Sequence, residues 1–363
     1  MKYKISLINA LFLLLGMGVL QAQNVEPSHK NSTTIKIIKD INLNIYPNST
    51  SKDTSLLLNL DNENTKPNNT KKKVSLVLSG GGARGIAHIG VIEELEKQGY
   101  EIVSISGTSM GSLVGAVYSL GKMEEFKNWI YTMDKLDVFK FIDFTLSSQG
   151  LVKGDRVFNK IKEFIPDKNI EDLKINYSAT ATDITNKKEV VFTKGSIYEA
   201  VRASVAIPTV FTPVKMGNSL LVDGGIINNV PINHVKRSKN DILVVVHVNA
   251  DIPARKPFIS ENEEDIRQSS HLEKIKKFNA ELIKSNPKFK NKELGYFKLI
   301  NETIGLLTCQ ISKMMIERYP PDILINISRE SCNIFDFYKA EELVEIGRHA
   351  AIQSINEYKN RVD

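Results

Sequence analysis

The chain has 363 residues, 42% of them hydrophobic and 25% charged, with a formal net charge of +6. That is an ordinary globular composition, long enough for one large or two ordinary domains around a sizeable core. The positive excess is not gathered into a stripe with interleaved aromatics, which argues against a nucleic-acid partner. The two cysteines and six histidines are scattered without zinc-site spacing, so no zinc site is expected.

Met1-Lys2-Tyr3-Lys4, the apolar run Ile5 to Leu20 and then Gln21-Ala22-Gln23 have the layout of a secretory leader cut after Ala22. The rival, a membrane anchor, meets a run that is short for spanning. The expected location is outside the cytoplasm: periplasmic, outer-membrane-associated or secreted. Residues 23–72 are rich in Asn, Ser, Thr and Lys and read as a linker or pro-segment. The main folded domain is expected over 73–363, with a polar, lid-like or surface insertion near 251–298.

The domain opens on a strand, Val74 to Ser79, which runs into Gly80-Gly81-Gly82-Ala83-Arg84-Gly85 and then a helix. Such a loop offers consecutive backbone amides to an anion. Formally it is also a dinucleotide fingerprint, but the acidic residue near the required distance, Glu101, begins the next strand instead of ending it. That second strand meets Gly107-Thr108-Ser109-Met110-Gly111, and an apolar helical pattern follows at once. Strand, Gly-x-Ser-x-Gly and helix make a nucleophile elbow, with Gly107 and Gly111 leaving room at the turn and Ser109 at a positive helix end.

Further along, helices are expected near Met123 to Met133 and Arg156 to Ile165, with a polar connection between them. Strands are expected over Tyr177 to Asp183 and Glu189 to Phe192, and Arg202 to Pro208 closes a helix at the proline. A run from Ser219 to Val222 then delivers Asp223-Gly224-Gly225 at a strand end, where a carboxylate suits a base beside a serine. His234, in an expected helix beyond the Pro231 turn, and His247, in an apolar strand, are poorly placed to be that base, and His88 sits at a helix start that disfavours its protonated form. The Lys274 to Lys292 cluster reads as a solvated helix face or as a surface for anionic lipid. Apolar residues from Ile300 to Met315 recur at helical spacing and read as core. Cys309 and Cys332 are left open between a disulfide and free thiols.

Gly80 to Gly85, Gly107 to Gly111 and Asp223 to Gly225, in this order, resemble the three motif blocks of the patatin-like phospholipases. Arg202-Ala-Ser-x-Ala-x-Pro208, Asn228-Asn-x-Pro231 and the closing helix after Phe335 are similar to further blocks of that family. The resemblance covers roughly residues 73–355. It implies an α/β fold, a three-layer α/β/α sandwich with a mainly parallel central sheet. It also implies a Ser109–Asp223 dyad, an oxyanion hole from Gly80, Gly81, Gly82, Arg84 and Gly85, and support from Gly107, Gly111, Gly224 and Gly225. The implied activity is acyl-ester hydrolysis of phospholipids or related lipids without a metal or other cofactor, with lipid and membrane surface as partners. The alternative is a nucleotide-binding or catalytically silent protein on the same fold.

Overall fold

The computed structural model describes residues 71–141, 154–208, 210–254 and 296–362. The expected leader, nearly all of the linker, the Lys274 to Lys292 cluster and most of the expected insertion lie outside the described residues.

The strands are β1 (Lys72–Leu78), β2 (Tyr100–Thr108), β3 (Asn176–Asp183), β4 (Lys188–Phe192), β5 (Val214–Met216), β6 (Ser219–Asp223), β7 (Ile242–Ala250) and β8 (Ile323–Ser328). They form one mixed sheet in the order β5-β6-β3-β2-β1-β7-β8, with β4 paired to β3 off this path. Every pairing from β3 through β8 along that order is parallel, and the β3–β4, β3–β6 and β5–β6 pairings are antiparallel. The sheet is therefore parallel through its centre and turns antiparallel at one side.

Side-chain alternation along these strands gives the sheet two apolar faces. Val74, Leu76 and Leu78 of β1 join Val244, Val246 and Val248 of β7 in the larger core. Val77, Leu243 and Val245 point to the smaller one. Helices α1 (Ala87–Lys97), α2 (Met110–Ser119), α3 (Met123–Tyr131), α5 (Asp155–Phe164), α6 (Ile197–Ser204) and α8 (Ala340–Val362) bring buried residues to the larger core. The smaller core is covered by Val230, Ile232 and Val235 and by Ile316 and Tyr319 at the end of α7 (Tyr296–Arg318). Helices on both faces make the α/β/α layering.

Three local expectations need correction. A short helix, α4 (Lys135–Phe141), stands where a polar connection was expected, and Asp134 starts it by accepting the Asp137 N–H at 2.7 Å. Helix α6 ends at Ser204, ahead of Pro208, and the Ala206 carbonyl just beyond accepts the Asp223 N–H at 2.9 Å. The apolar spacing of α7 does mark a stripe, but much of it is not core: Leu307 is 57% and Met314 67% exposed. Thr308 and Ser312 face inward instead, and Thr308 Oγ1 donates to the Gly225 carbonyl at 3.1 Å. No described helix is long and apolar enough to cross a membrane.

Helices α1 and α8 cross at two glycines. A Cβ at Gly347 would stand 1.9 Å from the Ala87 carbonyl oxygen, and one at Gly90 1.9 Å from that of Val344. Backbone on both sides leaves nothing flexible to give way. Gly347→Ala should therefore lower stability by about 1–3 kcal/mol through overpacking, despite alanine's better helix propensity. A urea midpoint equal to or above the wild-type value would contradict this packing.

Candidate active site

The site is assembled by strand register. On one edge of β3, β4 pairs over Ala179–Asp183. On the other edge β2 pairs as far as Thr108 opposite Thr180, and β6 takes over with Asp223 opposite Ala181. Ser109 follows Thr108 and Asp223 ends β6, so the two strands end facing each other and bring the serine and the carboxylate together. On the other side of β2, Leu78 of β1 pairs with Gly107, which brings the glycine loop alongside. A Cβ on Gly80 would lie 3.0 Å from Ser109 Cβ.

Ser109 has φ 53° and ψ −125°, backbone angles that a residue with a side chain rarely adopts. The turn is held from both sides. A Cβ at Gly107 would come within 2.6 Å of the Gly111 carbonyl group, and one at Gly111 within 2.2 Å of the Leu78 carbonyl oxygen, so only glycine permits the approach. The Ser109 N–H donates to Ser204 Oγ at 2.9 Å, and Ser204 Oγ donates to the Thr180 carbonyl at 2.6 Å. Ser112 Oγ donates to the Ser109 carbonyl at 2.7 Å. Nothing in the spacing singled out Ser204, although it lies inside a quoted block.

Asp223 is buried, and its carboxylate accepts hydrogen bonds from the Ser109 hydroxyl and, at 2.8 Å, from the Gly225 N–H. Burial pushes its pKa up to about 6, and the two hydrogen bonds pull in the opposite direction. At neutral pH the group is mainly ionised yet able to take a proton. Gly224 packs on β3, where a Cβ would meet the Thr180 carbonyl oxygen at 2.2 Å, and Gly225 lies against Asn229.

In the glycine loop the N–H groups of Ser79, Gly80 and Ala83 go to the carbonyls of Val246, Asn229 and Ile334. Those of Gly81 and Gly82, in between, have no such acceptor among the described residues. Gly82 takes φ +57°, and a Cβ there would strike the Ile334 carbonyl oxygen at 2.5 Å. Two amides that sequence reasoning did not single out for a role hold the loop: Asn249 Nδ2 and Asn229 Nδ2 donate to the Gly80 carbonyl at 2.6 and 3.3 Å. Together they fix the Gly80–Gly81 peptide plane. Arg84, expected among the anion donors, instead has its Nη1 on the carbonyls of Arg329 (2.9 Å) and Cys332 (3.3 Å). Its guanidinium tethers the loop after β8. Gly85 makes room for Met110, whose Cγ would lie 2.4 Å from a Cβ at that position.

The histidines have other partners. His88 Nε2 bonds the Ser79 carbonyl at 2.8 Å, His234 Nε2 meets Glu189 Oε2 at 2.9 Å, and His247 is buried with an Asn326 hydrogen bond. Burial lowers the pKa of both His88 and His247 to about 4, so both are neutral at pH 7. Glu101 pairs opposite Lys73 at the start of β2, the far end of the strand from the glycine loop, which removes the ribose-binding role the alternative requires. Both thiols are free. Among the described residues no group of three His, Cys, Asp or Glu is placed to hold a metal ion.

A strained serine at a strand-to-helix elbow, a buried carboxylate beside it and open amides next to both make up the candidate active site of an α/β protein. Comparison with known proteins carries this further. The family model for patatin-like phospholipases matches residues 76–236. An NTE family protein of Mycobacterium tuberculosis is 29% identical over 327 residues, spanning 78% of this chain and 91% of that protein. Lysophospholipase NTE1 of Candida glabrata is 27% identical over 278 residues, 74% of this chain but 15% of the much longer relative. Among solved structures, VipD from Legionella pneumophila superimposes with a TM-score of 0.42 at 18% identity, covering 80% of this chain and 67% of that one. Residues 76–236 thus match the patatin-like phospholipase family, a family of lipid hydrolases.

The raised pKa of Asp223 has a thermodynamic counterpart. An acid whose pKa rises on folding holds its proton more tightly in the folded chain, so stability falls as pH rises from about 4 through 6 and stays lower above. Asp223→Asn should thus stabilise the protein more at pH 7 than at pH 4, by a difference on the order of 2 kcal/mol. Denaturant midpoints of both proteins at the two pH values measure it, and an equal difference at both would refute the shift.

Proposed function

We propose that the protein is a serine esterase that hydrolyses carboxylic esters of phospholipids or related lipids, a phospholipase A-type acyl hydrolase, through Ser109 and Asp223. The observation that carries this reading is the Ser109 hydroxyl donating to a buried Asp223 whose pKa stands near 6. In the first half-reaction Ser109 Oγ attacks the ester carbonyl carbon while its proton passes to the Asp223 carboxylate. The carbonyl oxygen becomes an oxyanion and receives the N–H groups of Gly81 and Gly82, with that of Met110 at the start of α2. Collapse expels the alcohol, which takes the proton from Asp223, and leaves an acyl group on Ser109. In the second half Asp223 accepts a proton from water, the hydroxide released attacks the acyl carbon, and Ser109 recovers its proton as the fatty acid leaves.

Gly80, Arg84 and Gly85 act in this scheme by holding the loop, not by donating to the oxyanion. The leader-like layout of residues 1–22 supports action after export, on lipid at a membrane surface.

Ser109→Ala and Asp223→Asn should each lower turnover by roughly 10³-fold or more with the fold retained, as for members of one catalytic unit. His88→Ala, His234→Ala and His247→Ala should cost far less. Wild-type kcat/KM should rise with pH to a plateau above about pH 6, following ionisation of Asp223. A fluorophosphonate probe should label wild type and not Ser109→Ala. A folded Asp223→Asn variant with near-normal turnover would overturn the dyad, and failure of wild type to label would favour a silent binding protein on this fold.

A further inference from the structure

Two unlike spaces meet at Ser109. One is an almost wholly apolar cavity walled by Leu113 of α2, Phe126, Trp129 and Ile130 of α3, and Phe158 and Ile161 of α5. The other is a wider cleft carrying polar groups, including Asn229, Asn249, Arg329, Asp336 and Lys339. Gly82, Ser109, Ile207 and Ile334 line both. An ester carbonyl poised on Ser109 therefore has a dry space on one side and a wet one on the other. An alkyl chain gains by leaving water for the first, whereas a charged or hydroxylated group loses its hydration there without compensation.

One wall of the dry cavity is unusual. Phe126 and Trp129 line it, and Phe164 packs on both rings, with centroids 5.5 and 5.2 Å away. Phe126 is fully buried, but Trp129 is only half-buried, and Lys160 Nζ stands 6.0 Å from its ring centroid. The indole is thus a partition with the cavity on one side and solvent on the other. It is also the only tryptophan in the chain.

We propose that the dry cavity takes one acyl chain of the substrate, that the polar cleft takes the alcohol half, and that Trp129 sets the longest chain accommodated. This rests on the acyl-hydrolase reading for its chemistry, but not for its binding test. Each methylene added to the acyl side should raise kcat/KM about fourfold until the cavity is full, the ratio expected for burying one methylene. Removing the partition then lets a longer chain run out past α3.

The first arm is spectroscopic and needs no turnover. The Ser109→Ala protein is titrated with fatty acids brominated at successive carbons, which quench an indole on contact. Saturable quenching of Trp129 emission, dependent on bromine position, is expected. Absence of quenching at every position overturns the proposal. The second arm measures hydrolysis of p-nitrophenyl esters of increasing acyl length by wild type, Trp129→Ala and the bulk-keeping Trp129→Phe. The kcat/KM ratio of a C16 to a C6 ester should rise at least tenfold in Trp129→Ala and change less than threefold in Trp129→Phe. An unchanged ratio in a folded Trp129→Ala variant overturns the role of Trp129, and Trp129→Leu replaces it if the alanine variant does not fold. Acetate esters of lengthening alcohols should show no comparable climb, and an equal climb would place the alcohol, not the acyl chain, in the cavity. Quenching without hydrolysis of any ester by wild type would leave the cavity assignment standing and remove the esterase reading. Hydrolysis without quenching would do the reverse.

Discussion

The site depends on one contact, the backbone of the elbow pressed against the end of β1. Gly111 lies on the Leu78 carbonyl and Gly107 lies on Gly111, and no side chain fits at either place. That approach forces the turn between β2 and α2 to be tight enough to leave Ser109 at positive φ. Left to itself, such a residue would relax at a gain of about 1–3 kcal/mol. It is kept there by bonds from three directions: Ser204 on its N–H, Ser112 on its carbonyl, and Asp223 on its hydroxyl.

The same elements carry the strain and set up the chemistry. Ser204 links the elbow to the Thr180 carbonyl, the residue of β3 at which β2 gives way to β6. Asn229 reaches from beyond the Asp223 turn to the carbonyl of Gly80, and Gly80 returns its own N–H to Asn229. Asp223, Ser109 and the glycine loop are thus braced by short polar links across the top of the sheet. Outside this braced region the two spaces at Ser109 differ in kind, one almost wholly apolar and one carrying polar groups.

Much of this was legible from local pattern. The β-branched runs of β1 and β2 alternate or stay apolar throughout, and each ends in glycines whose only economical explanation is a close approach, so element type and motif agree. What escaped the sequence is what depends on partners far along the chain. Asn249 sits near the end of β7 and bonds a residue 169 positions earlier, and no spacing rule reaches that far. Arg84 looked like an anion donor because it stands in the glycine run, but its guanidinium goes to carbonyls of the loop after β8. The apolar period of α7 was read correctly as helical and wrongly as core. A period says that apolar residues share a stripe, and not which side of the helix the rest of the fold will cover.

The position of β7 in the sheet gives the protein a problem of timing. Residues 76–236 hold both catalytic candidates, the glycine loop and the elbow, and resemble a self-sufficient module. Yet β1 lies between β2 and β7, and β7 begins only at Ile242. As the chain emerges from the ribosome, one whole edge of β1 stays bare while Ser109, Asp223 and the glycine loop are already made. The same edge is bare in any fragment cut after the matched segment. Val74, Leu76, Val77 and Leu78 are apolar, and the strand would offer that edge to any passing strand. Assembly of the site is thereby tied to arrival of β7, and a nascent or truncated chain carries Ser109 and Asp223 without the neighbour that keeps β1 from pairing elsewhere.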